Sequence, residues 1–343
     1  METIRFENNS LILLDQRKLP VDLEYFYCKT SEEVAFAISD MVVRGAPAIG
    51  AAAAYGVLIA ANELKHLPKD QYFIELLNAC ALIRSARPTA VNLMWAVDRM
   101  KSVIMLDQEV DLAKQIENLR EEACAIHNED ILTCQTMAQY GGELIHSGDT
   151  ILTHCNTGAL ATAGMGTALG VIVRAHNDGK KIMVYADETR PRLQGARLTA
   201  WELMNAGIQS KLIADSVAAT LIRDGKIDKI LVGADRIAAN GDTANKIGTF
   251  MLSVLAKVYN VPFYIVAPTT TIDFDIKRGQ DIEIEERSSK ELTHIGGVQI
   301  APDKVDVYNP AFDVTPHENI TGIITERGIL YPPFHEAIMK LNL

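Results

Sequence analysis

The second half of the chain alternates short apolar runs with segments of helical periodicity. After residue 148, runs rich in β-forming residues are followed by stretches whose apolar positions recur every three or four residues. This alternation is typical of a doubly wound parallel sheet, so the sequence predicts an α/β, Rossmann-like fold. The predicted strands are 150–155, 181–186, 210–215, 230–233, 263–267 and 320–325, and the predicted helices are 158–176, 195–205, 217–223 and 244–260.

The first half has a different pattern, which is mostly helical. Thr30 and Glu33 have the spacing of a capping box, and Pro47 suits the first turn of an apolar helix. We therefore predict a mostly helical N-terminal domain with a few short strands, residues 1–125, followed by a Rossmann-like catalytic domain, residues 126–343. The predicted N-terminal strands are 10–14 and 25–29, and the predicted helices are 31–41, 46–62, 71–84, 89–105 and 111–145.

Composition and charge narrow the classes of function. The chain has 343 residues, 48% of them apolar, which is typical of a soluble globular protein with an ample core. A net charge of −11 without a basic cluster argues against a nucleic-acid binder. The apolar run 46–62 is short and alanine-rich, so we interpret it as a buried helix rather than a membrane span. Five scattered cysteines without a C-x-x-C pair favour a reducing, cytoplasmic location and no zinc site.

Polar side chains follow several of the predicted strands at the point where each strand ends. Ligands of open parallel sheets bind beyond these carboxyl ends, and adjacent strands lie about 5 Å apart. Cys155 follows one strand, and a helix predicted near Gly158 would favour its thiolate. The alternative is an inert buried cysteine, and the pattern leaves both open. Neighbouring His154 points to the other face of the strand, and we favour a structural role for it.

Asp235 ends another strand and is placed where a catalytic acid would lie. A helix cap is the alternative, but Asp242 is nearer to the predicted helix start and is the better capping candidate. Asn245 and Lys246 are predicted to begin that helix, where free backbone N–H groups favour an anion. The segment therefore offers both an acid and a phosphate site.

Two arginines lie in tight loops beside prolines. Arg44 and Arg87 each precede an apolar helix, and either residue suits bidentate phosphate binding or, equally, a salt bridge. The pair Gly164 and Gly166 resembles part of a dinucleotide fingerprint. However, Leu169 occupies the third glycine position, and the pair is predicted to lie inside a helix, so nicotinamide binding is disfavoured.

Several short motifs stand in order along the chain. They are Arg44-Gly45-Ala46-Pro47-Ala48-Ile49-Gly50, Arg87-Pro88-Thr89-Ala90, Thr153-His154-Cys155-Asn156-Thr157-Gly158, Glu188-Thr189-Arg190-Pro191 with Gln194-Gly195, Gly233-Ala234-Asp235-Arg236, Asn240-Gly241-Asp242, Asn245-Lys246-Ile247-Gly248-Thr249 and Asn309-Pro310-Ala311-Phe312-Asp313. Each motif is modest alone, but the ordered set is specific and extends over nearly the whole chain. Together the motifs resemble those of the methylthioribose-1-phosphate isomerases.

The resemblance implies an aldose–ketose isomerase that acts on a small sugar phosphate in methionine salvage and forms a homodimer. It implies that Asp235 is the proton donor and that Cys155 is the second catalytic residue. It also implies that no metal or nicotinamide cofactor is needed. The substrate and phosphate contacts that it implies are Arg44, Gly45, Ala46, Arg87, Gln194, Asn245 and Lys246.

Two other interpretations stay open at this point. A related isomerase would act by the same chemistry on 5-deoxyribose 1-phosphate or ribose 1,5-bisphosphate. The second interpretation is a sugar-phosphate-sensing regulatory protein without catalytic activity. Such a protein would resemble the alpha, beta and delta subunits of the translation-initiation exchange factor. The presence of both Cys155 and Asp235 argues against it.

Overall fold

The structure, a computed structural model, describes residues 2–87, 90–107 and 109–342. The chain forms two compact units. The first consists of residues 1–135 and 159–166, and the second consists of residues 136–158 and 167–343. Residues 159–166 therefore belong to the first unit, although the chain on both sides of them belongs to the second. The domain boundary at residue 125 stays a prediction.

The first unit opens with a three-stranded antiparallel sheet. Its strands are β1 (Ile4–Glu7), β2 (Ser10–Leu14) and β3 (Tyr25–Cys28), in the order β1-β2-β3. Leu11 and Leu13 alternate with Ile12 along β2, and all three are buried, so both faces of this central strand are covered. The strands predicted at 10–14 and 25–29 are confirmed.

Helices make up the rest of the first unit. The capping box is confirmed, because the Thr30 hydroxyl accepts the Glu33 N–H and the Glu33 carboxylate accepts the Thr30 N–H. The helix predicted at 111–145 is a single continuous helix. The helices are α1 (Ser31–Ser39), α2 (Ala46–Leu64), α3 (Lys69–Ser85), α4 (Val91–Leu106) and α5 (Leu112–Glu143), of which the last continues into the second unit.

The alanine-rich helix α2 forms the centre of the first core. Pro47 lies in its first turn as predicted, and residues 48–61 are all buried. By length and composition α2 could cross a membrane, but 78% of its most apolar window is buried inside the protein. This burial agrees with its interpretation as a core helix.

The second unit is built on a seven-stranded sheet in the order β16-β15-β10-β7-β4-β5-β6. All neighbours are parallel except the edge pair of β15 and β16. The predicted α/β, Rossmann-like class is confirmed. The strands are β4 (Thr150–Thr153), β5 (Met183–Asp187), β6 (Ser210–Ile213), β7 (Lys229–Val232), β10 (Phe263–Val266), β15 (Gly322–Thr325) and β16 (Gly328–Leu330), the last of which was not predicted.

Helices connect these strands and cover the sheet. A π-helical turn, Gly195–Thr199, leads directly into α7, so the helix predicted at 195–205 is confirmed. The helices are α6 (Ala168–Asn177), α7 (Ala200–Asn205), α8 (Val217–Arg223), α9 (Thr249–Tyr259), α10 (Lys290–Thr293) and α11 (Phe334–Met339).

The helix predicted at 158–176 begins ten residues later than expected, at Ala168. Within the second unit, Thr157 caps it: the Thr157 hydroxyl accepts the N–H of Leu169, and its carbonyl accepts the N–H of Thr167. The residues before it form a short 3-10 turn, Ala159–Ala161, and a loop. Gly164 and Gly166 therefore lie in a loop, and the prediction that they lie inside a helix is wrong.

The helix predicted at 244–260 is also shorter, because residues 243–246 pair as a strand. A second, four-stranded sheet in the order β11-β8-β9-β14 occupies part of the region that looked irregular in the sequence. Its strands are β8 (Arg236–Ala238), β9 (Thr243–Lys246), β11 (Ile272–Asp273) and β14 (Phe312–Thr315). A small hairpin, β12 (His294–Ile295) with β13 (Val298–Gln299), lies between them in the chain.

Asp130 attaches the loop 159–166 to the first unit. Its carboxylate accepts the N–H of Ala163 at 2.6 Å. Burial raises the pKa of Asp130 to about 6, although the N–H groups of Ala163 and Gly164 oppose this change. A raised folded pKa means that the stability it contributes is present below about pH 4 and is lost as the pH rises through about 6.

We therefore expect Asp130→Asn to remove this pH dependence, because the amide keeps an acceptor oxygen without the charge. At pH 7.5 the variant should be more stable than the parent by about 1–2 kcal/mol, and the gain should shrink below pH 4. Urea denaturation at several pH values measures it, with exposed Asp22→Asn as the control. A variant that is less stable at every pH would contradict the expectation.

Candidate functional site

The carboxyl ends of three neighbouring strands carry the candidate catalytic groups. Strand β4 lies between β7 and β5, with Thr153 opposite Leu231 on one side and Ala186 on the other. Cys155 follows β4 by two residues, and Asp235 follows β7 by three. Both residues therefore leave the same edge of the sheet from adjacent strands, as expected for a ligand site of this fold.

Cys155 is held in an unusual backbone conformation. Its φ is +62°, in the left-handed region, and its side chain is almost fully buried. Its N–H donates to the Thr189 hydroxyl at 2.8 Å, and its carbonyl accepts the Thr199 hydroxyl at 2.6 Å. The prediction that a helix beginning near Gly158 favours its thiolate is wrong, because that helix begins at Ala168.

His154 forms a buried ion pair next to Cys155. Its Nδ1 donates to Asp187 at 2.9 Å, and its Nε2 donates to the Ile247 carbonyl at 2.9 Å. Burial alone would lower the pKa of His154, but the hydrogen bond and charge of Asp187, the charge of Asp215 and the Ile247 carbonyl raise it above its ordinary value. Both ring nitrogens face acceptors, an arrangement that favours the protonated ring, and the structural role favoured for His154 stays a prediction.

Asp235 lies where the large sheet passes into the small one. It is half-buried, and its N–H donates to the carbonyl of Ala244 on β9. Asp242 does not cap α9, so that prediction is wrong. Its two carboxylate oxygens instead accept the N–H groups of Gly279 and His317, which joins three loops and leaves the helix cap to another residue.

Asn245 and Lys246 lie on strand β9, so their predicted position at a helix start is wrong. The pairing of Lys246 with Phe312 on β14 explains the difference. Lys246 is buried, its ammonium donates to the Ala311 carbonyl at 2.9 Å, and it lies 4.1 Å from the centre of the Phe312 ring. The Asn245 amide donates to Thr249 in the first turn of α9.

The N-terminus of α9 binds a carboxylate of the protein itself. Asp313 accepts the N–H groups of Gly248 at 2.7 Å and Phe250 at 3.0 Å. Burial raises the pKa of Asp313 above its ordinary value, although these two N–H groups oppose it. The anion site predicted for this helix start is therefore occupied by Asp313.

Gln194 presents a polar atom without a partner. The side chain is 6% exposed, and within residues 2–87, 90–107 and 109–342 its Oε1 accepts no hydrogen bond. Gly195, which follows it, has no space for a side chain: a Cβ would lie 1.7 Å from the Asp187 carbonyl oxygen. A buried acceptor without a partner is costly, so this atom is suited to contact a donor group of a ligand.

The remaining predicted substrate contacts belong to the first unit. Gly45 has a φ of +96°, and a Cβ there would lie 2.4 Å from the Ala161 carbonyl oxygen, so the first unit requires glycine at this position. Ala46 begins α2, and Arg44 and Arg87 are half-buried. Their contacts with a substrate stay predictions.

Among the residues that the structure describes, two clusters of histidine and carboxylate groups have ligand atoms within 4.8 Å of one another: His154 with Asp187 and Asp215, and Asp242 with His317 and Glu318. In the first, Asp215 accepts two backbone N–H groups, and the imidazole is bound by Asp187 and a carbonyl. In the second, the Asp242 carboxylate accepts the ring and backbone N–H groups of His317, the N–H of Gly279 and the Asn240 amide. Both clusters therefore form internal networks, and the absence of a metal requirement stays a prediction.

Sequence reasoning missed Thr199 and Asp313 as supports of the site. Asp313 lies in the last motif quoted above, which was the one available signal. Thr189 lies in the motif Glu188-Thr189-Arg190-Pro191 quoted above, but no local pattern indicated that its hydroxyl binds the Cys155 backbone.

The parallel sheet, with polar side chains at the carboxyl ends of its strands, defines a Rossmann-like protein. The model of the Initiation factor 2 subunit family matches residues 42–332, so the chain belongs to this family. A methylthioribose-1-phosphate isomerase from Thermoanaerobacter sp. (strain X514) is 65% identical over 342 residues, which cover 100% of this chain and 99% of the relative. Within the family, the chain therefore belongs to the methylthioribose-1-phosphate isomerases.

Solved structures agree with this placement. The 5-methylthioribose 1-phosphate isomerase from Pyrococcus horikoshii OT3 has a TM-score of 0.93 and 48% identity, with 99% of this chain and 95% of that chain covered. A protein described as the delta subunit of translation initiation factor eIF-2B from A. fulgidus has a TM-score of 0.88 and 44% identity, with 99% of both chains covered. The fold is thus shared by proteins with two different descriptions.

The buried pair of His154 and Asp187 generates a prediction about stability. We expect His154→Ala to lower the free energy of unfolding by about 3–5 kcal/mol, because Asp187 would keep a buried charge without its partner. Urea denaturation at pH 7 measures the change. In the control, His146→Ala, the side chain is exposed, and the change should stay within about 0.5 kcal/mol. Equal effects of the two substitutions would show that the buried pair contributes nothing special.

Proposed function

We propose that this protein converts S-methyl-5-thioribose 1-phosphate, an aldose, to S-methyl-5-thioribulose 1-phosphate, a ketose, in methionine salvage. The observation that carries the proposal is the full-length identity of 65% to a relative named methylthioribose-1-phosphate isomerase. The aligned region covers the whole chain and therefore includes every motif on which the resemblance rests.

The proposed chemistry starts with the opening of the sugar ring. Phosphate on O1 keeps the furanose closed, so the ring must open while the phosphate stays attached. We infer that Asp235 gives a proton to the ring oxygen as its bond to C1 breaks. A hydrogen then moves from C2 to C1, either through an enediol-type intermediate formed when a base removes the C2 proton or as a direct hydride shift, and the O2 proton leaves as the C2 carbonyl forms. Cys155 acts as that base or stabilises the transition state.

The strand order supports a shared role for these two residues. Adjacent parallel strands lie about 5 Å apart, and β4 and β7 pair directly through Thr153 and Leu231. Cys155 and Asp235 therefore start from neighbouring positions at one edge of the sheet. The partnerless Oε1 of Gln194, in the same unit, supports a substrate contact there.

The proposed phosphate and sugar contacts would hold the substrate in a reactive orientation. In the second unit these are Gln194, Asn245 and Lys246. For Lys246, substrate binding would compete with the Ala311 carbonyl that its ammonium now contacts. Arg44, Gly45, Ala46 and Arg87 are proposed on the family resemblance.

Turnover tests the proposal directly. We expect the parent to convert methylthioribose 1-phosphate faster than 5-deoxyribose 1-phosphate or ribose 1,5-bisphosphate, measured as kcat/KM. A methylthio group favours an apolar pocket, whereas a 5-phosphate needs a cationic one. Faster conversion of either rival sugar would assign the same chemistry to that substrate. No turnover of any of the three would favour the regulatory interpretation, which the likeness to the eIF-2B delta subunit keeps in view.

Two substitutions test the catalytic roles. Asp235→Asn and Cys155→Ser should each lower kcat by about 10²–10⁴-fold and change KM little, because the acid or the thiol is lost while the contacts stay. Asp224→Asn on the protein surface and half-buried Cys124→Ser are matched controls. Near-normal turnover of a variant would remove the role of that residue.

We also propose that the protein is a cytoplasmic homodimer. Phe250, Val254 and Val258 are 42%, 37% and 63% exposed and recur every four residues along α9. Met251, 38% exposed, extends this apolar stripe, and contiguous apolar surface favours a protein contact.

The proposed cytoplasmic location rests on the cysteines. Those of the described chain are free thiols, which suits a reducing compartment. Cell fractionation tests this location.

A charge in this stripe should break the dimer. We expect Val254→Asp to weaken association at least about tenfold, because dimerisation would desolvate an unpaired carboxylate. Sedimentation equilibrium measures the association constant. Leu106→Asp, at an 84% exposed position of the first unit, is the control. A parent that sediments as a monomer, or a Val254 variant that associates normally, would contradict this proposal.

A further inference from the structure

We propose that Thr189 and Thr199 are positioning residues that hold the Cys155 backbone in its left-handed conformation and thereby fix the direction of its thiol. The proposal rests on the proposed role of Cys155 in the isomerisation. Neither hydroxyl is proposed to contact the substrate.

The two threonines bind opposite sides of one residue. The Thr189 hydroxyl accepts the N–H of Cys155 at 2.8 Å, and the Thr199 hydroxyl donates to the carbonyl of Cys155 at 2.6 Å. These two groups belong to the peptide planes that flank the Cys155 Cα. Fixing both planes sets φ and ψ of Cys155, and these angles set the direction in which Cβ and Sγ leave the backbone.

The two hydrogen bonds oppose the preference of Cys155 for a negative φ. Residues with a Cβ disfavour positive φ and keep it only where the surroundings hold them there. Cys155 has a φ of +62°, and it lies directly after His154, whose ring is bound on both sides. Without the two hydroxyls, Cys155 would be free to relax to an extended conformation while His154 stays in place.

Each hydroxyl is used twice, which explains why threonine or serine is required. Thr189 accepts from Cys155 and donates to the Asp187 carbonyl at 3.1 Å. Thr199 donates to Cys155 and accepts from the Asn156 amide at 3.2 Å. Valine has nearly the same shape as threonine but provides neither a donor nor an acceptor, so it would leave buried backbone groups of Cys155 without partners.

The segment that carries the two threonines is itself braced. Asp215 accepts the N–H groups of Thr189 and Arg190 at 2.7 and 2.8 Å. Gly195 packs directly against the Asp187 carbonyl and the Thr189 hydroxyl. The same segment carries Gln194. Residues 189–199 therefore present a proposed substrate contact and also orient the thiol.

Kinetics of matched variants test the proposal. We expect Thr189→Val and Thr199→Val to lower kcat about 10–100-fold with KM changed less than about threefold, because a misplaced group costs rate rather than binding. Thr189→Ser and Thr199→Ser keep the hydroxyl and should stay within about threefold of the parent. Thr325→Val is the matched control, since Thr325 is buried, accepts the Arg327 N–H and donates to the Gly328 carbonyl. Its kcat should not change.

A double-mutant cycle separates positioning from a general structural role. In a Cys155→Ala background, the same valine substitutions should lower kcat less than about twofold, because the thiol that they orient is absent. A loss as large as in the parent background would show that the threonines act on the enzyme generally. Valine variants with parental kcat in the parent background would also overturn the proposal.

Alkylation keeps the test independent of the proposed function. The rate at which iodoacetamide labels Cys155, measured by peptide mapping, should change at least about threefold in the valine variants and not in the serine variants. If Cys155→Ala retains full turnover, the catalytic role of Cys155 fails while this rate still reports its orientation; an unchanged rate overturns the positioning. Should a valine variant not fold, the smaller Thr189→Ala or Thr199→Ala takes its place in both assays.

Discussion

The buried ring of His154, hydrogen-bonded at both nitrogens, is the group on which the candidate site depends. It joins the end of β4 to the end of β5 through Asp187, and to the loop before α9 through the Ile247 carbonyl. A buried ring nitrogen without a hydrogen-bond partner is costly, so these three segments must assemble together. Cys155 and Lys246 are the immediate neighbours of these anchored positions, so the ring restrains the backbone beside both candidate residues.

The small sheet extends this arrangement to the other candidate residues. Asp235 leaves β7 and leads into β8, which pairs with β9, and β9 in turn pairs with β14. Through that pairing Phe312 lies against Lys246, and Asp313 binds the start of α9. Strand pairing thus sets the backbone positions of the residues that carry the acid, the buried ammonium and the helix cap.

Features that neighbouring residues determine could be predicted from the sequence, whereas features that depend on residues far apart in the chain could not. Periodicity and turn residues gave the parallel sheet, the capping box at Thr30 and the strand ends that carry Cys155 and Asp235. The sequence predicts helix over 158–167 and 244–248 because the small and apolar residues there suit either state, and their actual conformation depends on Asp130 and on β14. The Thr189 and Thr199 bonds to Cys155 span 34 and 44 residues, and no local pattern records them.

The excursion of residues 159–166 into the first unit has a consequence for how such a chain can be divided. The carbonyl of Ala159 accepts the Thr3 hydroxyl, and that of Leu160 accepts the Gln16 amide. A gene fragment that stops after residue 135 would encode a first unit without these two acceptors. The remaining fragment would carry both carbonyls without the donors Thr3 and Gln16. One crossover point therefore cannot exchange either unit intact.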